Sequence, residues 1–204
     1  MTRGRLGFRI LTDRSVSKMP PPSDTKRAIL KCTIRLLGTN GPNALSAGAI
    51  AKELGISKAT VFHHFPSLTQ IPLEAFELLF EDFVDWQPPP RMTLRQLLEA
   101  LGSMTFTMLD ERADFLRAYY VFFGIAMFDE ALKKRQKDYL ALVAARITSH
   151  FVQVGLEKRV AKRCANMALV VLDGIALHAL AADNRPELRR SWMAFSNMVV
   201  RENS

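Results

Sequence analysis

Residues 46–65, SAGAIAKELGISKATVFHHF, constrain the fold more than any other part of this chain. Ser46 is suited to cap a helix in which Ile50 and Leu54 lie one turn apart, and Gly55 is suited to the tight turn that follows. A second short helix follows this turn. The pattern therefore predicts a helix-turn-helix.

The second helix of this motif has an inward and an outward face. Ser57 is suited to cap it, and Val61 and Phe65 share the inward face one turn apart. The outward residues are Lys58, Ala59, Thr60 and His63. Side chains on such a face can reach base edges in the major groove of DNA. The motif therefore predicts a DNA-binding surface.

The residues predicted to contact DNA differ in role. Contacts with bases are predicted for Lys58, Thr60 and His63, with Ser57 and Ala59 on the same surface. Contacts with phosphates are predicted for Lys26, Arg27, Ser46 and His64. The alternative for Lys58 and His63 is a solvated face without a partner, and for His64 it is capping or packing beside Phe65.

Basic side chains are concentrated in the N-terminal third of the chain. Residues 1–22 contain five basic and one acidic side chains, and residues 23–70 contain six and two. The remaining 134 residues contain 17 of each, so the whole net charge of +8 lies before residue 71. Because phosphate contacts release counterions and favour binding, this distribution predicts a module that binds nucleic acid.

The sequence divides into three parts. Residues 1–22 lack apolar periodicity, end in three prolines and are predicted to form a disordered basic arm. Residues 23–70 are predicted to form the helix-turn-helix domain, and residues 71–204 a second helical domain, with a fourth helix over 73–86 and a proline linker after it. No segment alternates with period two, so the predicted fold class is all-α, with about nine helices.

Several other classes of protein are not indicated. Cys32 and Cys164 are the only cysteines and lack metal-ligand spacing, so we expect neither a disulfide framework nor a metal site. We find no glycine-rich phosphate loop, HExxH or serine elbow, and we expect no catalytic activity and no cofactor. No uninterrupted apolar run approaches membrane-spanning length and no signal peptide is recognisable, so a cytoplasmic protein is expected.

A dense set of short motifs lies between residues 50 and 67. It comprises Ile50-Ala51, Gly55-Ile56-Ser57, Thr60-Val61-Phe62, and His64-Phe65 followed by Ser67. Together with the order of helices, these motifs resemble the TetR family of bacterial transcriptional regulators. The segment Leu172-Asp173-Gly174 adds a weaker likeness. The resemblance implies a homodimer that binds a palindromic DNA operator and is released when a small molecule enters the C-terminal domain.

Four positions depart from the family pattern. Phe62 and Ala47 occupy positions that are often tyrosine and threonine, and Leu68 stands where a lysine often follows the serine. These changes weaken the implied phosphate contacts of that region. Pro72 is tolerated only in the first turn of a helix, so the fourth helix is predicted to begin near Thr69 or to kink.

Residues 115–128 are apolar nearly all round and are predicted to be buried. Together with the family resemblance, this composition implies a cavity for an apolar or aromatic ligand. The predicted ligand residues are Met104, Met108, Tyr119, Tyr120, Phe122, Phe123, Asn166 and His178. Plain core packing is the alternative.

The last two helices carry the predicted dimer interface. Its residues are Gly174, Leu188, Trp192, Phe195 and Val199, of which the last four recur at helical spacing. Two such helices from each subunit would form a four-helix bundle. The alternative is packing against the middle helices of the same chain.

Two functions from different classes fit these patterns. The first is a DNA-binding transcriptional regulator of TetR type, most simply a repressor, whose partners are double-stranded DNA, a second copy of the chain and a small molecule. The second is a helical interaction or lipid-carrier module with a basic arm. The recognisable helix-turn-helix favours the first, since a carrier needs no capped recognition helix.

Overall fold

The computed structural model describes residues 24–81, 88–89, 91–182 and 184–203. In these ranges the chain forms nine α-helices and no strand, which confirms the predicted fold class. The helices are α1 Asp24–Asn40, α2 Ala47–Leu54, α3 Lys58–His64, α4 Gln70–Glu81, α5 Leu94–Glu111, α6 Ala113–Ala126, α7 Glu130–Gln153, α8 Lys158–Ala182 and α9 Arg185–Glu202. The predicted basic arm and the predicted end of the fourth helix lie outside the described residues.

Helix starts follow the capping patterns of the sequence. Pro72 lies in the first turn of α4, where its missing N–H leaves no hydrogen bond unmade, as predicted. At the start of α5, Thr93 and Gln96 form a capping box in which each side chain accepts a hydrogen bond from the other's backbone N–H. Local sequence therefore determines where these helices begin.

The buried apolar side chains form two clusters. The first combines the helix-turn-helix and α4 with α6, and the second combines α5 and α7 with α8 and α9. Helix α6 contributes Phe122 to the first cluster and Leu116 to the second. It therefore joins the core under the helix-turn-helix to the core of the C-terminal helices.

Helix α6 approaches α1 very closely at Gly38. A Cβ atom at Gly38 would overlap the backbone carbonyl of Asp114, whose carbon lies 2.7 Å from the Cβ position. Gly38 is buried, and no side chain other than hydrogen fits there. The first residues of α6 are thus held directly against the end of α1.

Helix α9 packs on α5 through the apolar stripe that the sequence suggested as a dimer interface. Trp192 is only 4% exposed, and its Nε1 donates a hydrogen bond to the Leu98 carbonyl at 3.1 Å. Gly102 of α5 leaves room for the indole, and Val199 is also buried in the chain. The assignment of Trp192 and Val199 to a dimer interface is therefore corrected, because these side chains are enclosed by their own subunit.

Leu188 and Phe195, the other two members of that stripe, are partly buried against the same core. The Phe195 ring lies 5.3 Å from the indole of Trp192. The alternative of packing within one chain therefore describes this stripe. Gly174 is the one predicted interface residue that is not part of this stripe, since it lies on α8.

Helix α8 is long and apolar enough, by length and composition alone, to cross a membrane. Its buried residues, among them Cys164, Leu172 and Ile175, contact the other helices of the second cluster. Core helices of soluble proteins meet the same criterion.

Candidate DNA-binding surface and effector site

The first helix of the helix-turn-helix is fixed at both ends by local contacts. The Ser46 hydroxyl accepts a hydrogen bond from the Ala49 N–H at 3.1 Å. Gly55 ends α2 in the left-handed conformation, with φ 65° and ψ 29°, which favours glycine. The Ile56 N–H then donates to the Ala51 carbonyl at 3.0 Å and closes the turn. The predicted turn is therefore present.

The second helix, α3, is capped and anchored as the sequence predicts. The Ser57 hydroxyl accepts from the Thr60 N–H at 3.0 Å and lies 2.9 Å from the Thr60 hydroxyl. Val61 and Phe65 are fully buried. Because the inward side of α3 is fixed, its other side chains are held in a defined orientation.

The outward face of α3 presents most of the residues that were predicted to read bases. Lys58, Ala59 and His63 are exposed, while Thr60 is partly buried beside Ser57. The Lys58 side chain crosses α2 at Gly48, where an added Cβ would lie 3.1 Å from Lys58 Cε. The His63 and His64 rings meet edge to face at 5.2 Å, and His64 is partly buried.

Phe62 belongs to this surface and was not among the predicted contacts. Its side chain is 45% exposed on the outward side of α3. An exposed phenylalanine there offers apolar contact to a thymine methyl group. Helical spacing alone would have found it, since Phe62 lies one turn after the outward residue Lys58.

Lys26 and Arg27, predicted to contact phosphates, have other surroundings in the structure. Lys26 Nζ lies 2.7 Å from Glu74 of α4 and 5.2 Å from the Phe65 ring centre. Arg27 is partly buried and lines a cavity of about 390 Å³ between α1, α4 and α6. Lys26 thus connects α1 to α4, and phosphate would have to compete with Glu74.

The predicted ligand residues of α6 pack as a cluster of aromatic rings. Tyr119 lies edge to face with Tyr120 at 5.0 Å and with Phe123 at 5.7 Å between ring centres. Phe122 is fully buried and meets Phe76 of α4 at 5.8 Å. Met104 and Met108 of α5 are partly buried. Core packing, the alternative weighed for these residues, holds for Phe122.

The other two predicted ligand residues do not join this cluster. Asn166 and His178 are both exposed on α8. A cavity of about 450 Å³ at the start of α5 is lined by Arg91, Met92, Gln96 and their neighbours, and neither it nor the cavity beside Arg27 contains a predicted ligand residue. The prediction for Asn166 and His178 is wrong for an enclosed site, because their side chains face outward.

Asp173 is the charged group at the aromatic cluster, and sequence analysis did not select it. The Tyr120 hydroxyl donates to the Asp173 backbone carbonyl at 2.9 Å. Burial raises the pKa of the Asp173 carboxyl to about 6. Burial and the nearby Asp173 charge raise the pKa values of Tyr119, Tyr120 and Tyr139, so the three phenols are protonated at neutral pH.

Asp173→Asn is expected to stabilise the protein at neutral pH. A carboxyl with a raised pKa in the folded state favours folding below its unfolded pKa, 3.8, and this contribution is lost as pH rises through about 6. The gain should therefore be below about 1 kcal/mol at pH 4 and up to about 3 kcal/mol at pH 7.5. Urea denaturation at both pH values measures it.

Asp138→Asn is the control for this prediction, since Asp138 is an exposed acid on α7 beside Tyr139. Its stability should follow that of the unmodified protein at both pH values. A lower stability of Asp173→Asn at pH 7.5 would mean that the Asp173 carboxylate has a compensating partner.

Exposed apolar side chains among the described residues are concentrated on α8 and α9. They are Met167, Val170 and Leu177 of α8 and Met193 and Met198 of α9. Val170 is 73% exposed, although valine is usually buried. Gly174 lies in the same row of α8 as Val170 and Leu177. These exposed side chains of α8 and α9, called here the α8–α9 face, lie outside the buried stripe that contains Trp192.

Comparison with known proteins identifies the helix-turn-helix segment. Residues 29–75 match the family model of bacterial regulatory proteins of the tetR family. An uncharacterized HTH-type transcriptional regulator of Mycobacterium bovis is 33% identical over 113 residues, which is 54% of this chain and 54% of that protein. The chain thus spans about half the length of the curated relatives it matches first.

Solved structures share the fold over nearly their whole length. A TetR transcription regulator from Haloarcula marismortui has a TM-score of 0.72 at 22% identity, with 87% of this chain and 97% of that one covered. A putative transcriptional regulator from Saccharomonospora viridis, solved in complex with choline, has a TM-score of 0.67 at 20% identity, with 85% and 96% covered. At these identities the likeness concerns the fold.

Proposed function

We propose that this chain, whose residues 29–75 match the tetR family model, is a cytoplasmic transcriptional repressor of the TetR family that binds a palindromic DNA operator as a homodimer. The observation that carries this proposal is the capped helix α3. Val61 and Phe65 on its inward side are fully buried, and Lys58 and His63 point outward. A helix held in this way is suited to the major groove.

Dimerisation is supported by the α8–α9 face. Met167, Val170 and Leu177 form one exposed apolar row on α8, and an exposed apolar surface of this kind usually marks an interface. In a dimer with two-fold symmetry the same face of each subunit meets its copy, and Gly174 allows close approach of the two α8 helices. This arrangement also places two α3 helices for two half-sites of a palindrome.

Control by a small molecule is supported by the position of α6. The helix carries Tyr119 and Tyr120 in its middle and presses on Gly38 of α1 near its start. A ligand with apolar or aromatic surface that shifts α6 therefore acts directly on α1. Helix α4 gives a second route, because Phe76 contacts Phe122. A protein with this fold was solved in complex with choline, which supports the binding of a small molecule by this chain.

Release from DNA requires that the ligand bind the DNA-free conformation more tightly. The coupling is then reciprocal, so that operator DNA weakens ligand binding by the same factor. In a dimer, the two α3 helices must be about 34–36 Å apart to enter successive major grooves. A small rotation of α6 against α1 changes that separation.

Lys58→Ala and His63→Ala are expected to weaken binding to the operator by about 1–3 kcal/mol each, because each removes a contact with a base or its immediate surroundings. Affinity for random DNA should change much less. Lys31→Ala is the matched control: it removes the same charge as Lys58→Ala from the side of α1 that lines the cavity toward α6. Fluorescence anisotropy with operator and random duplexes measures all three variants.

If Lys58→Ala and His63→Ala lose equal affinity for the operator and for random DNA, α3 does not read bases. A loss with Lys31→Ala as large as with Lys58→Ala would show that general positive charge, rather than the α3 surface, accounts for DNA binding.

A further inference from the structure

A carboxylate beside the aromatic cluster of α6, that of Asp173, has no cationic partner among the described residues. Asp173 forms no salt bridge with the residues that the structure describes, although its α8 backbone carbonyl is fixed by Tyr120. The charge of Asp173 contributes to the raised pKa values of Tyr119 and Tyr120 of α6 and of Tyr139 of α7. An acid held among aromatic rings without a counterion is unfavourable for stability, which points to a role in binding.

A second polar group in this region lacks a partner. Gln136 of α7 is only 5% exposed, and neither its amide nitrogen nor its amide oxygen has a hydrogen-bond partner. It lies on the buried face of α7 between Leu132 and Tyr139, which both belong to the first apolar cluster. Buried amides are nearly always hydrogen-bonded, so this one is available to a bound molecule.

The cluster has open space beside it on α6. Gly124 is partly buried, and a Cβ atom added to it would meet nothing within 4 Å. Gly124 follows Tyr120 by one helical turn, so the two residues lie in the same row of α6. Gly124 therefore leaves space next to the Tyr120 ring.

We propose that this cluster binds a small organic cation, with its positive charge against the Asp173 carboxylate and its alkyl groups on the rings of Tyr119, Tyr120 and Tyr139. A neutral apolar molecule would leave the carboxylate without a counterion, and an anion would be repelled by it. Aromatic faces attract cations and also cover alkyl groups, which suits a quaternary ammonium group. The Gln136 amide can bind a hydroxyl or carbonyl on the same molecule.

This inference rests on the proposed function only in identifying the cation as the effector. The cation would shift α6, because Tyr119 and Tyr120 are in the same helix as Asp114. The binding itself is independent of DNA and can be tested on the protein alone.

The test uses choline, tetramethylammonium and 3,3-dimethylbutan-1-ol, an uncharged molecule with the shape of choline. Isothermal titration calorimetry of the full chain is expected to show that choline or tetramethylammonium binds with a Kd below about 1 mM. The alcohol is expected to bind at least tenfold more weakly than choline. Asp173→Asn should lower the affinity for the cations at least tenfold, while Asp138→Asn leaves it unchanged.

Three results would overturn the inference: no binding of either cation, equal binding of choline and the alcohol, or unchanged cation affinity in Asp173→Asn with its fold intact by circular dichroism. Operator binding without ligand is measured on the same preparations. Normal DNA binding with no cation binding overturns only the cation site, whereas cation binding without binding to any DNA overturns the proposed function and leaves the site.

Discussion

Gly38→Ala is expected to lower the free energy of unfolding by about 3 kcal/mol, at the upper end of the usual range for overpacking. The added Cβ would overlap the backbone carbonyl of Asp114, and a backbone group cannot rotate away as a flexible side chain can. Helices α1 and α6 must then separate. For a chain of this length the melting temperature should fall by roughly 6–12 °C. Differential scanning calorimetry measures the change.

Gly124→Ala is the matched control in α6 itself. Its Cβ would meet nothing within 4 Å, and alanine favours helix over glycine by roughly 0.5–1 kcal/mol. Its stability should therefore be unchanged or higher. A melting temperature of Gly38→Ala equal to that of Gly124→Ala would show that α1 and α6 are not in this close contact, and the proposed route from ligand to DNA would be lost.

Val170→Asp is expected to convert the dimer to monomers without unfolding the subunit. The Val170 side chain is 73% exposed in the single chain, so aspartate adds no buried charge to the subunit. In a symmetric dimer the substitution places two carboxylates in one apolar interface, which is strongly unfavourable. Affinity for the full operator should fall by at least about 100-fold, because two linked half-site contacts become independent. Sedimentation velocity measures the oligomeric state.

Met127→Asp provides the control, since Met127 is 65% exposed at the end of α6 and away from the α8–α9 face. It should leave both dimerisation and DNA affinity unchanged. A dimer that persists in Val170→Asp would place the interface elsewhere on the subunit.

The local features of the helix-turn-helix could be predicted from sequence because they depend on neighbouring residues. Ser46, Ser57 and Gly55 act within three or four residues of their own positions, and each has its expected role. The same holds for Pro72 at the start of α4. Such contacts depend on the local sequence and not on the packing of one helix against another.

The dimer interface could not be assigned in the same way. Helical spacing showed that Trp192 and Val199 form an apolar stripe, but spacing carries no information about which helix covers it. The answer depends on Gly102, some 90 residues earlier, which admits the indole to α5. The exposed α8–α9 face contains methionines and small residues in addition to leucine and valine, so its apolar pattern is less conspicuous than the buried one.

Asp173 was missed for a related reason. A single acid in an apolar helix has the same sequence pattern whether it faces water or a neighbouring helix. Its burial becomes visible only when the other helices, among them α6 with Tyr120, are packed against α8. Asn166 and His178, chosen as polar groups on the same helix, lie on its exposed side. The direction in which each side chain points from α8, rather than its residue type, separates Asp173 from Asn166 and His178.

The central claim, that two α3 helices of a dimer read a palindromic operator, is tested most directly by selecting bound DNA from a random pool with the full chain. The account predicts an inverted-repeat consensus whose half-sites are separated by one helical turn, about 10 base pairs, or a multiple of it. Lys58→Ala should change the preferred bases within each half-site. Recovery of DNA without a consensus, or of a single unrepeated site, would contradict the claim.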